Sequence, residues 1–153
     1  MNIAITGANG FLGKNLTYRL IEKENIKVNK ITRKTKKQEL QKILLKSKII
    51  FHFAAVNRSK NKKTFIRDNV EFTRYICDFL KKNNKKNKLI FTSSTQINNK
   101  NDYGKSKKLC EKILVNHAKK NKSRVCIFRL PNIFGKWSKP NYNSVVSTFC
   151  NNI

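Results

Sequence analysis

The chain has 153 residues, and its 35 Lys plus Arg against 8 Asp plus Glu give a formal net charge of +27. That length suits one domain, and a hydrophobic content of 39% excludes a disordered chain. No apolar run nears the ~18–20 residues of a membrane span, and residues 1–6 lack the basic start and long apolar stretch of a secretory signal.

Residues 2–6 read as a buried strand, and Thr6-Gly7-Ala8-Asn9-Gly10-Phe11-Leu12-Gly13 turns from it into a helix over 11–24, with Leu12, Leu16, Leu20 and Ile21 as an apolar stripe. A strand, a GxxGxxG turn and a helix in that order predict a dinucleotide site. Gly7 permits the tight turn, Gly10 admits a pyrophosphate and Gly13 allows close helix–strand packing. The phosphates would rest on the positive helix start, so Gly7, Asn9, Gly10, Phe11, Leu12 and Gly13 are the expected cofactor contacts. A second strand spans 27–32. A site that prefers NAD usually places a carboxylate about 20 residues past the glycines, but here the position falls on Arg33, followed by Lys34. Two cations suit the 2′-phosphate of NADP(H), which is the cofactor expected.

A helix over 36–46, a strand over 49–53, a helix over 67–82 and a strand over 88–92 continue the alternation. Ser93 and Ser94 follow as hydroxyls for a substrate oxygen. The next helix, 102–120, opens on Tyr103-Gly104-Lys105-Ser106-Lys107, whose i, i+4 spacing puts Tyr103 and Lys107 on one face. Leu109, Ile113, Leu114 and Ala118 form its expected apolar stripe. An ammonium near a phenol lowers the phenol's pKa, so this pair is expected to exchange the proton of a carbinol. A strand over 125–129 and the start of a helix over 144–153 end the chain. Repeated strand–helix alternation predicts an α/β fold with a doubly wound, Rossmann-type parallel sheet.

The four cysteines, Cys77, Cys110, Cys126 and Cys150, are widely spaced without a CxxC pair, so neither a metal site nor a disulfide framework is expected, and reduced thiols point to the cytoplasm. Lys outnumbers Arg 28 to 7, whereas base readout favours Arg. The charge is therefore read as compositional bias, with no specific nucleic acid and no membrane as partner.

Together with the strand ends Phe51-His52-Phe53-Ala54-Ala55 and Phe91-Thr92-Ser93-Ser94, and with Arg129-Leu130-Pro131-Asn132-Ile133-Phe134-Gly135, these motifs resemble the extended short-chain dehydrogenase/reductases, the NAD(P)-dependent epimerases, dehydratases and reductases of nucleotide sugars. Residues 55–58 and 134–146 further resemble the branch of NADPH-dependent reductases acting on the 4-keto group of UDP-linked deoxy-hexosamines in capsular-polysaccharide synthesis. The resemblance implies Ser94, Tyr103 and Lys107 as catalytic residues, Lys107 also meeting the nicotinamide ribose. It implies Ala54, Ala55 and Asn69 at the cofactor, and Asn132 and Asn143 at the substrate. It further implies a UDP-sugar substrate and a homodimer. His52 is as readily a packed strand residue as a cofactor neighbour, and Trp137 and Tyr142 read as packing anchors. Thr95-Gln96 stands where a dehydratase carries an Asp-Glu pair. The link between the second and third strands is one strand shorter than the family's usual one, which leaves the order 2-1-3-4-5. Residues 1–135 are expected to form the NADP-binding domain and 136–153 the start of a substrate-binding region, as the front portion of a longer protein whose truncation would damage turnover. The alternatives are a 4-epimerase of the same family and a non-catalytic module binding NADP or polyanions.

Overall fold

Five runs of apolar residues become strands, and the intervening helices return each strand to the same end of one sheet. The computed structural model describes residues 1–142 and 144–153. Its strands are β1 (Asn2–Thr6), β2 (Lys27–Ile31), β3 (Ile49–His52), β4 (Lys88–Ser94) and β5 (Val125–Leu130). All neighbouring pairs are parallel and the order is β2-β1-β3-β4-β5, as expected. The direction of winding reverses between β1 and β3, and in such sheets ligands bind beyond the carboxyl ends of the strands at that reversal.

The helices are α1 (Phe11–Ile21), α2 (Lys37–Lys46), α3 (Lys62–Phe65), α4 (Phe72–Lys82), α5 (Asp102–Asn121) and α6 (Val145–Asn152). One sheet face buries Ala4, Ile50, Leu89 and Phe91 against Leu44, Ile76, Leu80 and Leu114 of α2, α4 and α5. The other buries Ile3 and Ile5 against Leu16 and Leu20 of α1. Burial of a Leu or Ile side chain stabilises by roughly 1.5–3 kcal/mol, so these two layers hold the sheet flat between them.

Four details depart from the sequence expectation. Helix α1 ends at Ile21, which is exposed, and its most buried residues are Gly13 and Thr17. Strand β4 runs two residues further and takes in Ser93 and Ser94. The helix expected over 67–82 begins at Lys62 and widens into a π-helical turn over Ile66–Glu71. There the Thr73 hydroxyl donates to the Asn69 carbonyl at 2.6 Å and the Cys110 thiol shares that carbonyl at 3.3 Å; such side-chain competition loosens a helical ladder. Finally, the buried face of α5 is rotated from the expected stripe. Leu109 is exposed, whereas Lys107, Cys110, Glu111 and Leu114 are buried.

Candidate active site

The glycine turn sits at the reversal of the sheet. Gly7 has φ +67°, and a Cβ there would stand 2.8 Å from the Ala54 backbone nitrogen, so neither side of the turn tolerates a side chain. A Cβ on Gly13 would lie 2.2 Å from the Gly7 carbonyl oxygen. Gly13 therefore packs α1 onto the turn itself, more than onto the strand. Around Gly10, by contrast, a Cβ would meet among the described residues beyond its chain neighbours only the Gly7 carbonyl oxygen, at 3.1 Å. Helix α1 starts there with no side-chain cap, whereas α5 is capped by Asn101 and α6 by Ser144. An uncapped helix start leaves backbone N–H groups for an anion. That fits a dinucleotide pyrophosphate.

The backbone facing the turn is fixed from beneath. Ala54 N–H donates to Thr6 Oγ1 at 3.1 Å, and Thr6 Oγ1 lies 2.8 Å from His52 Nδ1. His52 Nε2 lies 2.9 Å from Thr73 Oγ1, whose own proton goes to the Asn69 carbonyl. That order of donors requires His52 to carry its proton on Nε2. Burial, with a smaller push from the Lys107 charge, lowers the His52 pKa to about 3, so the ring is neutral and structural. Asn69 is likewise consumed: Oδ1 accepts from Val56 N–H at 2.7 Å, and Nδ2 donates to the Val56 carbonyl and to Ser106 Oγ. It lies behind the cavity lining and holds the 53–58 segment in place. Ala55 lines the cavity, while Ala54 stands behind it against Gly7.

Neighbours on a strand point to opposite faces, and this separates the two serines. Ser94 Oγ accepts from Gln96 N–H at 3.2 Å and so caps a short 3₁₀ turn over Thr95–Asn98; its own proton remains available. Ser93 Oγ is buried with no hydrogen-bond partner among the described residues, near the Glu111 carboxylate. Glu111 is gripped by both arms of Arg129, at 3.0 and 2.7 Å, which holds its carboxyl below the usual range and ties α5 to β5. The start of α5 presses on the 3₁₀ turn so closely that a Cβ on Gly104 would stand 2.1 Å from the Gln96 carbonyl oxygen. That contact places Tyr103 beside Ser94, and nothing in the bare sequence flagged Gly104.

Lys107 is 2% exposed, and its Nζ donates to the Thr92 carbonyl at 2.7 Å. The ammonium also stands 4.5 Å from the centre of the Phe91 ring and 5.9 Å from that of Tyr103. Burial lowers its pKa to about 8, so it remains mostly charged at neutral pH. The Tyr103 pKa is raised, chiefly by burial and then by Cys110, with the Ser94 hydroxyl opposing. This corrects the expectation of a lowered phenol: the lysine is committed to Thr92, and desolvation decides the sign.

These groups share one cavity of about 980 Å³, near the upper end for small-molecule sites. Gly7, Asn9, Gly10, Phe11, Leu12 and Gly13 form one side, Ser94, Tyr103 and Lys107 the floor, and Asn132 the opposite side. Trp137 stacks on Tyr18 of α1 with ring centres 4.9 Å apart, and Asn15 Nδ2 donates to the Lys136 carbonyl. Trp137 is thus both a packing anchor and part of the lining. Arg33 and Lys34 lie outside the cavity, exposed at the corner of a turn closed by Thr32 and Thr35. The turn follows β2, whose Ile31 carbonyl accepts from Ala8 N–H, so it stands next to the glycine turn. Asn143 lies outside the described residues. Lining residues the sequence did not single out include Lys14 and Thr148; a lysine carries no signal in so lysine-rich a chain. Among the described residues no group of three His, Cys, Asp or Glu is placed to hold a metal, and no helix is long and apolar enough to cross a membrane.

A parallel sheet with a glycine turn at its reversal and a Ser–Tyr–Lys floor defines a dinucleotide-dependent enzyme class. The chain belongs to the NAD dependent epimerase/dehydratase family, whose model matches residues 3–153. It is 42% identical over 153 residues to a UDP-2-acetamido-2,6-beta-L-arabino-hexul-4-ose reductase of Pseudomonas aeruginosa, covering all of this chain and 41% of that protein. Its structure resembles that of the capsular polysaccharide assembling protein CapF from Staphylococcus aureus, with a TM-score of 0.84, 43% identity, and 98% of this chain and 39% of that one covered. The UDP-glucuronic acid 4-epimerase of Bacillus cereus, solved in complex with NAD, shares the fold at a TM-score of 0.80 and 18% identity, over 92% of this chain and 60% of that one. The chain thus spans about two fifths of the length of its more similar relatives.

Proposed function

We propose that this chain carries the cofactor-binding and proton-donating half of an NADPH-dependent reductase acting on the 4-keto group of a UDP-linked deoxy-hexosamine. The observation that carries the reading is the convergence of Ser94, Tyr103 and Lys107 on the cavity that the uncapped start of α1 also faces. The similarity to a reductase of a UDP-linked 4-ulose supports the substrate class. In this reading residues 1–135 hold the dinucleotide and residues 136–153 begin the substrate side, with Asn132 and Asn143 toward the nucleotide sugar.

NADPH, when bound, supplies the hydride that adds to the keto carbon. The Ser94 hydroxyl, with its oxygen already engaged by Gln96 N–H, donates a hydrogen bond to the keto oxygen and orients it. Tyr103 delivers the proton to that oxygen. A phenol whose pKa is raised stays loaded at neutral pH, which suits the direction of reduction. Once the proton has left, the Lys107 ammonium stabilises the phenolate. Arg33 and Lys34, exposed on the turn next to the glycines, would hold the 2′-phosphate of NADPH. The test is consumption of NADPH with a UDP-linked 4-keto-6-deoxy-hexosamine. Tyr103→Phe is expected to slow it by about 10²–10⁴-fold, the size of a general-acid contribution, and to leave NADPH affinity unchanged. Full activity in Tyr103→Phe removes the phenol from the mechanism.

A further inference from the structure

The cavity is lined by four cations, Lys14, Arg58, Lys107 and Lys139, and by no carboxylate. Lys107 is committed to Thr92, and Lys14 belongs to the first turn of α1, beside the site for the dinucleotide pyrophosphate. Arg58 and Lys139 are left. Arg58 follows β3 on the segment that Asn69 fixes, and Lys139 lies on the segment after β5. The ion pairs among the described residues are Arg19–Glu22, Lys62–Asp102, Arg67–Asp68 and Arg129–Glu111, and none uses either cation.

Arg58 is nonetheless held in a defined place. Its guanidinium carbon stands 5.2 Å from the centre of the Tyr142 ring, and the Tyr142 hydroxyl donates to Asn57 Oδ1 at 2.7 Å. The hydrogen bond joins the two sides of the cavity and fixes the ring as a platform under the guanidinium. Stacking of this kind desolvates one face of the fork and leaves its N–H edges free for two oxygens of a phosphate. Asn57, whose oxygen is taken by Tyr142, keeps its amide N–H groups for the same anion.

We infer that Arg58, stacked on Tyr142, is a specificity-determining residue that binds the diphosphate of the nucleotide-sugar substrate, with Lys139, which lines the same cavity, as the second cation. The inference rests on the substrate class proposed above and adds the subsite that recognises it. The dinucleotide's own pyrophosphate is served by the start of α1, so a second pair of cations calls for a second diphosphate.

The experiment is calorimetric titration of the 153-residue chain with UDP, uridine and NADPH, for the parent, Arg58→Gln, Arg58→Lys and Tyr142→Leu. UDP should bind the parent more tightly than uridine does. Arg58→Gln should weaken UDP by about 10- to 100-fold, the worth of one or two charge-assisted hydrogen bonds, with uridine and NADPH unchanged. Arg58→Lys should restore part of the loss, and Tyr142→Leu should weaken UDP less than Arg58→Gln does. Unchanged discrimination between UDP and uridine in Arg58→Gln overturns this subsite alone and leaves the proposed function standing. A fall in NADPH affinity that matches the fall for UDP also overturns it, by assigning Arg58 to the dinucleotide. A parent that binds NADPH but neither UDP nor uridine overturns both the subsite and the proposed substrate.

Discussion

The two sides of the cavity are built in opposite ways. The side made by the strand ends and the starts of α1 and α5 has its polar atoms spent in buried bonds: Thr6 and Thr73 on His52, Asn69 on Val56, Lys107 on Thr92. On the other side residues 131–142 form a series of turns, with φ of 138° at Gly135, 69° at Trp137 and 55° at Asn141, before α6 begins. Phe134 and Phe149 there are 66% and 65% exposed, and no residue of α6 is buried. A group that moves a proton must hold its position to a fraction of an ångström, so it sits where the backbone is bonded from below. On the other side hydrogen bonds run within its own turns and α6, as from Ser138 to the Gly135 carbonyl and from Asn141 N–H to Thr148, and they leave large apolar side chains in solvent.

That contrast can be broken or sharpened at three places. The largest effect belongs to Arg33, on the turn beside the rigid side. Charge-assisted bonds contribute roughly 1.5–3 kcal/mol each, so one or two to a 2′-phosphate would give NADPH about a tenfold to several-hundredfold advantage over NADH. Arg33→Asp should erase or invert that advantage, and Lys34→Ala should reduce it less. The dissociation constants, read by nicotinamide fluorescence, decide it, and equal affinities in the parent would reduce Arg33 to ordinary surface charge.

Next in size is an acid effect at His52. Its pKa is about 3 in the fold and 6.5 in the unfolded chain. Between those values the unfolded chain binds the proton and the fold does not, so stability falls as pH falls. From pH 7 to pH 5 the loss is about 2 kcal/mol. Urea unfolding at the two pH values should show it in the parent and much less of it in His52→Gln. Identical slopes would mean that the buried bridge between β1, β3 and α4 does not govern acid stability.

The smallest effect tests the open side. Tyr18→Leu removes the stack under Trp137, worth about 0.5–1.5 kcal/mol. The chain has one tryptophan, so its emission should shift with the loss of Tyr18 while Tyr103 and Lys107 stay in place. An unmoved emission spectrum would show that the stack does not hold this side against α1.

The sequence by itself determined the alternation of strands and helices and the glycine turn before α1, while the order 2-1-3-4-5 is read from the family resemblance. Near-continuous apolar runs separated by helical patterns allow few arrangements other than a covered parallel sheet, and strand–glycine turn–helix is local chemistry that spacing can show. Tertiary structure decided what depends on depth and on contacts between distant residues. The buried face of α5 carries Lys107 and Glu111, polar residues outside the expected apolar stripe, because their partners Thr92 and Arg129 come from β4 and β5. The alternation of β4 buried the Ser93 hydroxyl with no partner among the described residues and set the Ser94 hydroxyl to cap the 3₁₀ turn, and the approach of the Gln96 carbonyl made Gly104 a fixed position. The sign of the Tyr103 shift also came from the fold. Spacing places a charge near a phenol, but only packing sets how much water is removed from it, and here that desolvation outweighs the opposing hydrogen bond of Ser94.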